Sequence, residues 1–175
     1  MAQRYRLGYA ACGKWAHGAG NWKWGRLVIA HTEPCGQLVS LYGRAVGAND
    51  KVPKSVRHDH LPGAKGYFNA PALANGAAPL FVAESPFDSL SLIAAGCPRT
   101  IAIFGVTGWR WEWAREVQHR VFALDADPTG QQGWRELARQ ARLRGKTVGF
   151  LPPEAYGGRK DANEAWVAGA LRVDS

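Results

Sequence analysis

The sequence holds a single methionine, three cysteines and far fewer acids than bases. Each scarcity excludes something. Cys12, Cys35 and Cys97 are odd in number, widely spaced and without a C-x-x-C pair, which argues against a disulfide framework. Cys12, His17 and Cys35 match no standard structural zinc spacing and lack a fourth ligand, so the cysteines read as free thiols in a reducing compartment. No apolar run approaches the ~20 residues that span a bilayer, so no membrane association is expected. The opening Met-Ala-Gln-Arg-Tyr-Arg-Leu-Gly has no apolar core behind its charges, and a cytoplasmic location is the expectation.

Against 14 Asp+Glu stand 22 Lys+Arg, a formal net charge of +8. Such an excess suits a polyanionic partner, because neutralising phosphates releases counterions. An ordinary basic surface would give the same total. The distribution favours the first reading, since the Asp and Glu of interest cluster in three short segments with Lys and Arg around them. The 175 residues are enough for one well-buried core or two small subdomains, and 46% hydrophobic with 21% charged is the balance of a globular chain.

Two halves read differently. Residues 1–75 are rich in Gly, Trp and basic residues. Arg26-Leu27-Val28-Ile29-Ala30 and Gln37-Leu38-Val39-Ser40-Leu41-Tyr42 are strand-like and flank Glu33-Pro34-Cys35-Gly36, which predicts a β-hairpin. The stretch from Gly47 to Gly66, with Pro53 and Pro62, reads as irregular loop, and Ala70 to Pro79 as a connector. Residues 76–175 alternate strand and helix signals. Apolar runs at Leu80–Ala83, Thr100–Phe104, Arg120–Leu124 and Thr147–Leu151 predict four strands. Helices are predicted after Ser85-Pro86, with Phe87, Leu90, Ile93 and Ala94 at helical spacing, and from Pro128, with Trp134, Leu137, Ala138 and Ala141 on one face. A Trp-rich amphipathic segment from Trp109 to about Gln118 is expected to be helical, as is Asp161 to about Gly169. Alternating units of this kind predict an α/β fold: a mostly parallel sheet flanked by helices, preceded by a small basic β-rich subdomain.

In such a sheet, ligands gather beyond the carboxyl ends of the strands. Glu84 ends the first predicted strand, Asp125 ends the third, Asp127 lies just past it, and Asp161 follows the fourth. Hard cations such as Mg²⁺ or Mn²⁺ take a few carboxylates and keep water and phosphate oxygens in their other positions. Structural roles compete at some positions. Ser85-Pro86-Phe87-Asp88 is a capping box in which Asp88 serves either as cap or as ligand. Asp127 before Pro128 is also a natural N-cap. Capping explains neither Glu84 nor Asp125; two acids ending adjacent strands repel unless a cation or base joins them. Trp15, Trp22 and Trp24 read as base-stacking residues or as a small core, and Trp109, Trp111 and Trp113 pose the same choice.

Glu84-Ser85-Pro86-Phe87-Asp88, then Asp125-Ala126-Asp127-Pro128-Thr129-Gly130, then Lys160-Asp161-Ala162-Asn163-Glu164 resemble the three signatures of the TOPRIM domain. That domain is shared by DnaG-type primases, type IA and type II topoisomerases and some nucleases. The match covers about residues 79–168, and Lys160-Asp161 resembles the late K-D motif of primases. In the first half, the runs Gly25–Thr32, Gly36–Ala45 and Lys65–Asn69 resemble the subdomain that precedes TOPRIM in DnaG-type primases, where it forms a basic groove.

The resemblance implies the catalytic core of a primase carried by a phage, plasmid or other mobile element. It implies catalytic Glu84, Asp125 and Asp127 and a metal set of Glu84, Asp125, Asp127, Asp88 and Asp161 for Mg²⁺ or Mn²⁺. Arg44, Lys65 and Lys160 correspond to nucleotide- or nucleic-acid-binding positions, with Arg26 a further candidate. The implied activity is nucleotidyl transfer making short RNA primers on single-stranded DNA from nucleoside triphosphates. A replicative helicase or a separate zinc-binding module would be the partner. A TOPRIM nuclease and a non-catalytic nucleic-acid-binding module are the alternatives. The glutamate is followed by Ser85 rather than the usual Gly, no zinc module precedes the core, and no tyrosine-bearing topoisomerase domain is present.

Overall fold

The computed structural model describes residues 2–15, 23–48, 51–74 and 76–173; His17 and Trp22 lie outside them. The chain forms two compact units, Met1–Phe68 and Asn69–Ser175. The division expected at 75/76 falls within the second unit, past the 3-10 turn Ala70–Leu73.

The first unit is an antiparallel sheet in the order β1 (Leu7–Ala10), β2 (Arg26–Thr32), β3 (Leu38–Ala45) and β4 (His58–His60). The expected β2–β3 hairpin is present: Glu33 N–H donates to the Gln37 carbonyl at 2.9 Å and Gly36 N–H to the Glu33 carbonyl at 2.8 Å. Gly36 takes φ +86, the left-handed turn conformation that glycine adopts without steric cost. The segment expected to be loop carries a one-turn helix, α1 (Lys54–Arg57), and strand β4, which pairs Tyr42 with His60 and Arg44 with His58. Pro53 is compatible with this because it precedes the helix as its N-cap. Thr32 and Tyr67 exchange backbone hydrogen bonds at 2.8 and 2.9 Å. A Cβ on Gly66 would run into the Thr32 carbonyl oxygen, so the side-chain-free residue permits that approach.

The second unit is a parallel four-stranded sheet, ordered β6 (Thr100–Ala102), β5 (Leu80–Ala83), β7 (Arg120–Ala123), β8 (Gly149–Phe150). All four residues of β5 are buried, as expected for a central strand covered on both faces. Phe81, Ala83 and Ala123 share a core with Leu92 of helix α2 (Pro86–Ala94) and with Ala162 and Ala165 of helix α4 (Ala162–Val167). Phe122 points to the opposite face, stacking on Phe150 at 5.6 Å, while Trp134 of helix α3 (Pro128–Leu143) meets Phe150 edge-on at 5.0 Å. Residues 111–116 form turns, and no part of the 109–118 segment takes the expected helix. Trp109 and Trp111 instead pack edge-on against each other at 5.6 Å, and each tryptophan has a further partner. Trp109 packs edge-on against Phe122 at 5.1 Å, Trp111 Nε1 donates to Gln140 Oε1 at 2.8 Å, and Trp113 lies under the Arg110 guanidinium at 4.3 Å. Among the described residues no helix is long and apolar enough to cross a membrane.

Candidate active site

The acids occupy the carboxyl edge of the parallel sheet. Leu80–Ala83 delivers Glu84, and Arg120–Ala123, through Leu124, delivers Asp125. The Asp125 backbone N–H donates to Glu84 Oε1 at 3.2 Å. Asp127 is the N-cap of α3, its Oδ1 accepting the Gly130 N–H at 2.9 Å. A Cβ on Gly130 would collide with the Asp125 carbonyl oxygen, so glycine lets the helix start directly behind the acid. The Ala126 N–H donates to the Lys160 carbonyl at 2.7 Å, drawing the late K-D segment against this turn. Lys160 Nζ then stands 2.8 Å from Asp125 Oδ2 and 3.4 Å from Asp127 Oδ2.

Asp161 caps α4, its Oδ1 accepting the Glu164 N–H at 2.8 Å. Asp88 is buried, 4% exposed. Ser85 Oγ donates to its Oδ2 at 2.5 Å, and the Asn163 N–H donates to its Oδ1 at 3.0 Å, so it joins the starts of α2 and α4. Asp88 therefore both completes the Ser85 cap and fastens a neighbouring helix. Ser85 forms the cap expected of it, whereas nothing in the sequence singles out Tyr156. Tyr156 is buried and its hydroxyl donates to the Leu124 carbonyl at 3.0 Å, steadying the strand end that carries Asp125.

Negative charge is in excess here. Burial, reinforced by Asp125 and Asp127, lifts Glu84 to about 7. Burial raises Asp125 by more than Lys160 lowers it, and raises Asp88 with help from Asp161 and Asp125. Asp127 is held below the ordinary range by the Gly130 N–H and then by Lys160. Hydrogen bonding to Asp125 pushes the Lys160 ammonium upward. Among the described residues no three His, Cys, Asp or Glu side chains stand arranged to grip a metal ion. The donor set nevertheless fits a hard divalent ion, because Asp125 and Asp127 already share one cationic group and Glu84 adjoins them. An ion such as Mg²⁺ needs only one or two carboxylates, with water and phosphate oxygens filling its remaining positions.

The basic candidates of the first unit differ from one another. Arg26 is fully buried, donating to the carbonyls of Gly43 at 3.0 Å and Val56 at 2.7 Å. Trp15 is also buried, with Nε1 donating to Asp59 Oδ2 at 2.7 Å, so it belongs to the core. Lys65 is exposed and Arg44 half-buried. Arg44 Nη1 lies 3.1 Å from His58 Nε2, and His58 Nδ1 lies 2.7 Å from the Tyr42 hydroxyl. Arginine only donates, so Nε2 is the acceptor and a neutral His58 carries its proton on Nδ1. Burial and then the Arg44 charge hold His58 near 4, in the neutral form this bond requires.

The sequence of residues 81–166 matches a family described as Toprim-like. The chain carries a Toprim-like domain. Among solved structures, the primase fragment of the bacteriophage T7 primase-helicase is 19% identical with a TM-score of 0.67, covering 97% of this chain and 64% of its own. The Aquifex aeolicus primase, comprising zinc-binding and RNA polymerase domains, is 16% identical with a TM-score of 0.66, covering 97% of this chain and 49% of its own. The E. coli primase catalytic core is 15% identical with a TM-score of 0.63, covering 96% of this chain and 64% of its own. The chain thus spans about half to two thirds of the length of these primases, and the likeness is one of fold. No curated protein matches the sequence. Glu84, Asp125, Asp127 and Lys160 all fall inside the Toprim-like domain, whereas Arg44 and Lys65 precede it.

Proposed function

We propose that this chain is the catalytic core of a DnaG-type primase, joining nucleoside triphosphates into short RNA primers on a single-stranded DNA template. One observation carries the reading. Asp125 and Asp127 share the Lys160 ammonium, and Glu84 is tied to the Asp125 backbone beside them, at the sheet edge of a Toprim-like domain, in a chain whose primase-core likeness covers 97% of its length.

Asp125, Asp127 and Glu84 would hold Mg²⁺ or Mn²⁺, directly or through water. The bound ion supplies charge neutralisation at the phosphoryl group and orientation of the attacking hydroxyl. Everything else is the work of the chain itself. Glu84, tied to the Asp125 N–H, keeps the two strand ends in register. Asp127 is aimed by the Gly130 N–H at the start of α3. Asp161 sits beside the acids as the cap of α4, and Asp88 beneath them as the buried joint between two helices. Arg44 and Lys65 neutralise template or triphosphate, and Lys160 a phosphate oxygen. Arg26 supports the sheet from within. A replicative helicase or a zinc-binding module, on further segments or on another chain, would select and deliver the template.

The test is incubation with single-stranded DNA and labelled nucleoside triphosphates in Mg²⁺ or Mn²⁺. Template-dependent short RNA is the expected product. Strand cleavage that needs no triphosphate would instead establish the nuclease reading.

A further inference from the structure

Lys160 occupies a distinctive place in the acidic site. Its ammonium bridges Asp125 Oδ2 at 2.8 Å and Asp127 Oδ2 at 3.4 Å, while its backbone is fixed through its carbonyl to the Ala126 N–H at 2.7 Å. The side chain is half exposed, 51%, and the carboxylates it spans are more enclosed, at 17% and 34%. The anchor is therefore rigid and the arm has solvent to swing into. A divalent ion held by both carboxylates needs oxygens at ~2.0–2.1 Å. Were such an ion to take either of the Oδ2 atoms now paired with the ammonium, the two cations would compete for it.

We propose that Lys160 is an internal cation that keeps the acidic site assembled, is exchanged for the divalent ion, and then pairs with the phosphates of the incoming nucleotide. The inference rests on the metal-binding reading above. One charge suffices to restrain Asp125 and Asp127 but leaves Glu84 uncompensated, and a divalent ion neutralises the group more fully. Once it is seated, it repels the nearby ammonium, and the nearest strongly anionic partner is the triphosphate that accompanies it. The device prevents the carboxylates from splaying apart before loading and couples ion entry to nucleotide capture.

Competition of this kind has a two-sided signature. Without nucleotide, Lys160→Met should bind Mn²⁺ about tenfold more tightly than the wild type, read by electron paramagnetic resonance titration. With the ion saturating, the same variant should bind a non-hydrolysable nucleoside triphosphate more weakly. Equal or weaker Mn²⁺ binding by Lys160→Met would overturn the proposal. A second measurement uses the unmodified chain: reductive methylation followed by mass spectrometry, in which Lys160 should react faster once Mg²⁺ is added. An unchanged rate at Lys160 overturns the exchange even if the variant fails to fold. If the wild type binds no Mn²⁺, or Asp125→Asn with Asp127→Asn binds it equally well, the metal-site reading itself fails and takes this inference with it.

Discussion

The carboxylate of Glu84 accepts the backbone N–H of Asp125 at 3.2 Å, so the ends of two neighbouring parallel strands are fastened by the site's own acid. One side chain thus serves both the sheet and the charge cluster. Its ionisation state is consequently tied to folding.

Glu84 titrates near 7 in the folded chain against an ordinary value of 4.5. The folded state therefore holds more protons between those values. Protonated Glu84 stabilises fully below about 4.5, and that contribution is lost as pH rises through about 7. Buried Asp88 acts in the same direction, whereas His31 and His58, held near 4, gain stability upward through about 6.5. The informative quantity is thus the difference between wild type and Glu84→Gln in metal-free buffer. The Tm of the variant should rise relative to wild type between about pH 5 and pH 8, and a difference that stays flat would refute the assignment.

Arg26 and Arg44 stand one β-ladder pair apart in kind: Arg26 is buried on carbonyls, and Arg44 is half-buried and aimed by His58. Arg26→Ala should destabilise the first unit by about 3 kcal/mol, because a buried and a half-buried carbonyl lose a charged donor. Arg44→Ala should leave Tm nearly unchanged and lower the log–log salt slope of single-stranded DNA binding by about 1. Denaturant titration and fluorescence anisotropy separate the two effects.

Gly130→Ala forces a methyl group onto the Asp125 carbonyl oxygen. Overpacking against backbone should cost about 2 kcal/mol and shift Asp125 away from Lys160. Chemical denaturation measures the first effect, and a fall in Mn²⁺ affinity reports the second. An alanine variant as stable as wild type would show that the α3 start is looser than described.

Asp88→Ala removes the acceptor of both the Ser85 hydroxyl and the Asn163 N–H. Unfolding free energy should drop by about 2 kcal/mol, since a buried donor is left unpaired. Mn²⁺ affinity should change less than in Asp125→Asn. A larger loss of ion binding than of stability would move Asp88 from joint to ligand.

Much of the second unit was readable in the chain because its signals are short-range. Leu80–Ala83 is an apolar run that stops at an acid, and Ser85-Pro86 and Asp127-Pro128 are helix starts whose caps form as expected. The β2–β3 hairpin was legible from its turn. Strands β1 and β4, of four and three residues, are too short for a period-two pattern and exist by pairing with longer neighbours. Residues 109–118 mislead because their polarity suggests a helix, while the tryptophans are placed by Phe122, Gln140 and Arg110. The bridge from Lys160 to Asp125 and Asp127 depends on how α3 and β8 return the chain to the sheet edge. No local pattern carries that, nor does any reveal Tyr156 bracing Leu124.

Nucleotidyl transfer is the role proposed for Glu84, Asp125 and Asp127. Its most direct test is the rate of first dinucleotide formation on single-stranded DNA with Mn²⁺, comparing wild type with Asp125→Asn carrying Asp127→Asn, both verified as folded. Wild type should form template-dependent dinucleotide, and the double variant should be slower by on the order of 100- to 1,000-fold. Equal rates in the two proteins, or no dinucleotide from wild type on any single-stranded template, would rule that role out.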